Sequence, residues 1–100
     1  MKVVKEYPIS EHVSEFVLTL PANYQILTVF LKSNTPSPGA QPVLYVLAPE
    51  DQPETEEVTF RHVESSEKLF NAYAYVGSYQ EVGYFRVKHL FRLVAREDLM

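Results

Sequence analysis

The chain has 100 residues, of which 46% are hydrophobic and 22% are charged, with no cysteine and a formal net charge of −4. This length and composition predict one folded domain over residues 1–100 and exclude an intrinsically disordered chain. The lack of cysteine excludes disulfides and thiolate metal sites, and the negative charge argues against general binding to nucleic-acid phosphates.

Seven short segments rich in β-branched and aromatic residues follow one another along the chain. Each is bounded by Pro, Gly, Asn, Ser or acidic residues, and they span residues 3–7, 15–20, 26–32, 42–48, 57–63, 72–79 and 83–93. Strands at this spacing predict an all-β fold, a compact antiparallel sandwich or barrel.

Three connections between these segments have a distinctive composition. Residues 33–42 contain three prolines and a glycine, which predicts an exposed, semi-rigid loop. Residues 49–57 are acidic and predict a solvated turn. Residues 65–71 are compatible with one short helix, with Ser65 or Ser66 as its N-cap.

The last segment fits two periodicities. Its apolar residues match a helix at one spacing and a strand at another, so the local pattern does not separate the two. We favour a strand as far as Leu93, because Gly83 follows residues 72–79 at the distance expected of a hairpin.

The alternation within this hairpin predicts a surface. A connection with an even number of residues places odd-numbered residues opposite even-numbered ones. The inward set is then Ala72, Ala74, Val76 and Ser78 beside Phe85, Val87, His89, Phe91 and Leu93, since small residues facing large ones fill a core layer. The outward set, our predicted binding surface, is Tyr73, Tyr75, Tyr79, Tyr84, Arg86, Lys88 and Arg92, with Leu90 among them. A three-residue connection would reverse this and bury the tyrosines.

An outward Tyr/Arg/Lys face has two interpretations. In one it is a solvated sheet surface whose rings lie against long cationic side chains. In the other it binds a protein, because Tyr and Arg are enriched at interface hot spots. Stacking of nucleic-acid bases on the rings is a weaker third interpretation, given the net charge.

The chain contains no recognisable catalytic or metal-binding motif. Serine nucleophile, phosphate-loop and calcium-loop patterns are missing, so we expect no enzyme activity and no cofactor. His62 and His89 fall among apolar residues, and we expect both to be buried core residues without a metal. Two inward histidines that meet at a metal are the alternative.

Several stretches resemble a family of small, uncharacterised β-domain proteins of tailed bacteriophages and prophages. The similarity runs through residues 5–9, 18–29, 42–51, 58–67, 75–80 and 89–91. The resemblance implies closing strands near His89 and a phage-encoded accessory protein in the cytoplasm of a bacterial host. It implies no catalytic residues.

Two functions are compatible with these observations. The first is a non-enzymatic interaction module, of the host-takeover or anti-defence type, that binds a host or phage protein or a second copy of the chain. The second is a small-ligand binder that sequesters a nucleotide with Arg61, Arg86 and the tyrosines. No apolar run is long enough for a signal peptide or a membrane span, so we expect no membrane partner.

Overall fold

The computed structural model describes residues 1–33, 40–69, 72–80 and 86–94. The strands within these residues are β1 (Lys2–Pro8), β2 (Glu15–Pro21), β3 (Gln25–Ser33), β4 (Ala40–Pro49), β5 (Glu54–Glu64), β6 (Tyr73–Gln80) and β7 (Val87–Leu93). They pair antiparallel in two sheets, so the predicted all-β fold is confirmed, and each strand lies on a predicted segment.

The first sheet has the order β1-β4-β3. Its central strand, β4, carries Leu44, Val46 and Ala48 on the side that faces the second sheet, and all three are buried. Tyr7 of β1 and Val29 of β3 lie opposite Leu44 on either side. The alternation of inward and outward residues along β4 is what a sheet with one covered face requires.

The second sheet has the order β2-β5-β7-β6. Val58 and Phe60 of β5 are buried beneath the first sheet, with Leu90 of β7 beside them. Phe16 of β2 lies opposite Phe60, and the two rings stack with centroids 5.4 Å apart. Aromatic and branched side chains therefore form the inner layer of this sheet.

The two sheets enclose one hydrophobic core. Its buried members are Ile9, Leu20, Val29, Leu44, Val46, Val58, Phe60, Tyr79 and Leu90. The sheets approach most closely where β3 passes β6, because Gly77 has no side chain there. A Cβ atom at Gly77 would lie 3.0 Å from Val29 Cγ1.

Three predicted connections differ from the structure. In the predicted loop 33–42, Ser33 ends β3 and residues 40–42 already belong to β4, whereas residues 34–39 lie outside the described residues. Residues 65–66 form a turn and residues 67–69 have no regular structure, so the short helix is wrong for this part; residues 70 and 71 lie outside the described residues. Ser66 has φ 75°, and the Glu67 amide donates to the Glu64 carbonyl, which closes a turn instead. The acidic stretch is also only partly a turn, because β5 already begins at Glu54.

No helix in the described ranges has the length and apolarity that a membrane crossing demands.

Candidate functional site

The β6–β7 pair is the predicted hairpin, with one irregularity. Gln80 pairs with Val87 and Gly77 with Leu90, which places odd numbers opposite even ones as expected. Between Tyr75 and Gly77 the register shifts, and Tyr75 then pairs with Phe91. The extra residue reverses the alternation along β6. Tyr75 and Tyr79 consequently point to opposite faces of the sheet.

The orientation predicted for β7 is wrong. Leu90, expected outside, is fully buried, and Tyr79 is buried as well. Lys88 pairs with Tyr79 and lies on the same inner side, and Arg92 pairs with Ala74 there. Long cationic side chains can occupy an inner face near its ends, because the stem packs while the charged group reaches the margin. Lys88 does so, with Nζ 3.7 Å from Glu64 Oε1.

The other face of β7 forms an aromatic patch on the outside of the molecule. We define the aromatic patch as Tyr75, Val87, His89, Phe91 and Leu93. The Tyr75 ring contacts the Phe91 ring edge-on, with centroids 5.3 Å apart, and the His89 ring at 6.4 Å. Tyr75 is 59% exposed, and Val87 and Leu93 are exposed too. The residues that we expected inside β7 therefore form its outer surface.

Polar side chains connect the strands beside the aromatic patch. The Tyr73 hydroxyl donates to Glu15 Oε1 at 3.1 Å, across the outer face of the second sheet. Arg61 Nη2 donates to Glu67 Oε2 at 3.2 Å. These bonds hold Tyr73 and Arg61 in place and leave the Tyr75 ring exposed next to them.

The predicted binding surface is therefore divided among several places. Tyr73 and Tyr75 lie on the outer face, and Tyr79 lies in the core. Arg86 is exposed before β7, with Nη1 3.6 Å from Glu64 Oε1. Tyr84 lies outside the described residues.

A buried histidine joins two strands and a loop. His62 Nδ1 lies 2.8 Å from the Val13 carbonyl oxygen, which can only accept, so Nδ1 carries the proton. Nε2 then accepts the Tyr79 hydroxyl at 2.8 Å. Burial lowers the pKa of His62, and the charge of Lys88 lowers it further, against the opposing effects of the Val13 carbonyl and Glu11. His62 is thus a neutral core residue, and its predicted burial is confirmed.

His89 occupies a different environment from the one expected. It is half-buried on the outer face, and its Nε2 lies 3.2 Å from Ser65 Oγ. The prediction of a second core histidine is wrong, because His89 shares the outward alternation of Phe91 and Val87. Within residues 1–33, 40–69, 72–80 and 86–94, no three His, Asp or Glu side chains are grouped as metal ligands would be.

Arg92 lies where the inner layer opens to solvent. A groove of about 440 Å³ is lined by Tyr24, Gln25, Ile26, Ala74, Tyr75, Val76 and Arg92. A second groove of about 350 Å³ shares Tyr24 and Arg92 with the first and also includes Glu57 and Thr59. Arg92 is half-buried, and in the part of the chain that is described its guanidinium forms no ion pair. This arrangement is suited to an anion.

Sequence reasoning missed two sets of residues. The sequence showed that one face of β7 carries Val87, His89, Phe91 and Leu93. The neighbouring residues did not show whether that face is buried or exposed. Tyr24, just before β3, and Gln25, its first residue, also line the groove, and no sequence pattern links them to Arg92.

Comparisons with known proteins place the chain in a family. No curated protein and no solved structure matches it significantly. A family model described as a domain of unknown function, DUF7352, matches residues 1–99. Because the match spans almost the whole chain, the protein belongs to the DUF7352 family.

Proposed function

We propose that this protein is a non-enzymatic interaction module that binds another protein through the aromatic patch. The observation that carries the proposal is the exposed Tyr75 ring, held by Phe91 and His89 between the exposed side chains of Val87 and Leu93. Buried aromatic anchors dominate binding energy at protein interfaces. A ring already fixed by its neighbours loses little conformational freedom when it binds.

The setting of the proposal comes from the resemblance to phage and prophage proteins. In that setting the partner is a host or phage protein in the bacterial cytoplasm, and the module alters its activity by occupying a surface. The buried histidine is consistent with a non-enzymatic role, because the residue is 4% exposed and its ring is bonded within the fold to Tyr79 and Val13.

The test compares two exposed aromatic residues on opposite faces. Tyr75→Ser removes the ring at the centre of the aromatic patch, whereas Phe30→Ser removes a ring that is 63% exposed on the outside of the first sheet. Tagged wild type and both variants are used to capture proteins from bacterial lysate. A protein retained by wild type is then purified, and its affinity for each form is measured.

We expect Tyr75→Ser to weaken that affinity about 30-fold, which corresponds to the ~2 kcal/mol of an interface hot spot. Phe30→Ser should bind as wild type does, and both variants should keep the urea midpoint of wild type. Equal affinities for all three forms, or a loss confined to Phe30→Ser, would contradict the proposal.

A second candidate function, binding of a nucleotide, is favoured by the groove at Arg92. The guanidinium can bind a phosphate through two parallel hydrogen bonds, and Tyr24 and Tyr75 also line the groove. The groove's volume of about 440 Å³ falls within the range of small-molecule binding sites. Ala74 opposite Arg92 leaves room for a planar group.

Nucleoside 5′-monophosphates are the probe for this candidate, with binding followed by calorimetry. We expect saturable binding that Arg92→Gln weakens at least tenfold and Arg92→Lys weakens less, since lysine keeps the charge. Arg86→Gln is the matched control, because Arg86 lies outside the groove. Absence of binding, or equal weakening by Arg86→Gln, would reject this candidate.

A further inference from the structure

The edge strands of the two sheets differ in how they are protected from pairing with a strand of another chain. β3 and β6 are edges that lie against each other, so closely that a Cβ atom at residue 77 would lie 3.5 Å from the Val29 amide nitrogen. β1 carries charged residues along its length, including Lys5 and Glu6. Charges on an edge strand discourage pairing with another chain. β2 has none between Phe16 and Pro21.

The backbone groups on the open side of β2 can be identified. The Ser14 carbonyl accepts from the His62 amide at 2.7 Å, and the Ala22 amide donates to the Pro53 carbonyl at 3.3 Å. Even-numbered residues therefore direct their backbone groups toward β5. Because these groups alternate along an antiparallel strand, Glu15, Val17 and Thr19 direct theirs away from it.

These outward backbone groups have no partner strand in the described ranges. β2 is the terminal strand of its sheet, and the side chains of Glu15, Val17 and Thr19 are exposed. A row of free amide and carbonyl groups on a strand without charged residues between Phe16 and Pro21 is a template for strand pairing.

The inner side chains of β2 also indicate that the second sheet can be extended beyond this strand. Phe60 and Val58 of β5 are buried, whereas Phe16 and Leu18 opposite them are only partly buried. Because β2 is the last strand of its sheet, a further strand would lie beside Phe16 and Leu18. A strand placed there would cover both side chains and extend the inner layer.

We propose that β2 pairs antiparallel with β2 of a second copy of this chain, across a two-fold axis at Val17. In this register Val17 lies opposite Val17, Phe16 opposite Leu18, and Glu15 opposite Thr19. No like charges face each other, and each outward amide meets a carbonyl. β1 is the less suited edge strand, because the charged residues Lys2, Lys5 and Glu6 lie along it. This interface is independent of the aromatic patch, and it places the patches of both copies on one continuous sheet.

The test uses two valines that match in exposure. Val17 is 54% exposed on β2, and Val4 is 55% exposed on β1. Val17→Lys places two ammonium groups against each other at the axis, whereas Val4→Lys adds the same charge away from it. Val17→Pro removes the outward amide, a change that an edge strand tolerates on its solvent side. Mass is measured by sedimentation equilibrium over a range of concentrations.

We expect wild type and Val4→Lys to reach twice the 11.5 kDa chain mass. Val17→Lys and Val17→Pro should raise the dimer dissociation constant at least tenfold while circular dichroism stays that of wild type. In wild type the Val17 amide should exchange hydrogen more slowly as concentration rises. A monomeric wild type at millimolar concentration, or a dimer that both Val17 variants leave intact, would overturn the proposal. If Val17→Pro unfolds, Val17→Lys and the exchange of the Val17 amide decide the question.

Discussion

The Tyr79 hydroxyl donates a hydrogen bond of 2.8 Å to Nε2 of His62, and both side chains are buried. His62 in turn donates from Nδ1 to the Val13 carbonyl, so a tyrosine from β6 is connected through β5 to the loop before β2. The rings meet edge-on with centroids 5.7 Å apart. This chain of bonds connects the inner layer of the second sheet to the loop before β2 and gives both ring nitrogens of the buried His62 a partner.

Replacing Tyr79 with phenylalanine should destabilise the fold. The variant leaves Nε2 of His62 buried without its donor, which typically costs about 1–3 kcal/mol of unfolding free energy. Urea denaturation measures the difference. Tyr75→Phe is the matched control, because Tyr75 is exposed, and its effect should stay within ~0.5 kcal/mol. Equal unfolding free energies for Tyr79→Phe and wild type would show that the bond contributes nothing.

The free energy of unfolding should fall as the pH drops below ~6.5, the ordinary pKa of a histidine side chain. Burial lowers the pKa of His62 below its ordinary 6.5, so the unfolded chain binds a proton at a higher pH than the folded one. The contribution of neutral His62 is therefore complete above pH ~6.5 and is lost as the pH falls toward the folded-state pKa.

Urea denaturation at several pH values between ~5 and ~7.5 tests this dependence. His62→Gln should flatten it, while His12→Gln, which changes an exposed histidine, should leave it as in wild type. The window stays above pH ~5 because the pKa of Glu67 is lowered by the Glu64 amide and by Arg61, so its contribution is lost only in stronger acid. If His62→Gln kept the pH dependence of wild type, the dependence would not come from His62.

Gly77→Ala should destabilise the contact between the sheets. The added methyl group would lie 3.0 Å from Val29 Cγ1, and Val29 is buried and stiff at χ1. Overpacking of this kind typically costs ~1–3 kcal/mol. Ser78→Ala, at the exposed neighbouring position, should have little effect on the urea midpoint.

The double variant Gly77→Ala, Val29→Ala tells whether Gly77→Ala destabilises the protein by crowding Val29 or by straining the backbone at residue 77. Val29→Ala on its own leaves a cavity, but combined with Gly77→Ala it makes room for the new methyl group. The two changes should therefore cost less together than the sum of their separate costs. Simple additivity would show that the close approach of the two residues is not the cause.

Tyr7 should ionise at unusually high pH. Burial, together with the hydrogen bond of 3.0 Å that its hydroxyl donates to Glu54 Oε2, raises the pKa of Tyr7 to about 12. The stability from this group is present below pH ~10 and is lost as the pH rises through 12. The ultraviolet absorbance of tyrosinate measures the titration.

Tyr7→Phe should remove one ionisation near pH 12, and Glu54→Gln should lower the pKa of Tyr7, because the negative charge opposing tyrosinate is gone. Both variants should also lose some unfolding free energy at neutral pH, ~0.5–1.5 kcal/mol for Tyr7→Phe. A tyrosinate titration that Tyr7→Phe leaves unchanged would place the high pKa elsewhere.

The strands themselves were predictable from local patterns. β-branched and aromatic residues between prolines, acidic clusters and polar turns predict extended segments, because backbone sterics and half-buried packing favour them there. The ambiguous segment before Leu93 also proved to be a strand, as Gly83 and the preceding alternation suggested. The turn at Ser66 was harder to predict from the sequence. Its positive φ and the hydrogen bonds of Glu67 depend on Arg61 and Glu64 of β5.

The sequence by itself determined the all-β class and the positions of the strands, because both depend on neighbouring residues along the chain. Only the tertiary structure decided which side of β6 and β7 is inside. The extra residue between Tyr75 and Gly77 turns Tyr75 outward while Tyr79 stays in the core. The packing of Leu90 between the sheets then sends Phe91 and His89 to the surface. Alternation along a strand separates two faces but does not name the buried one, since that depends on which face another sheet covers.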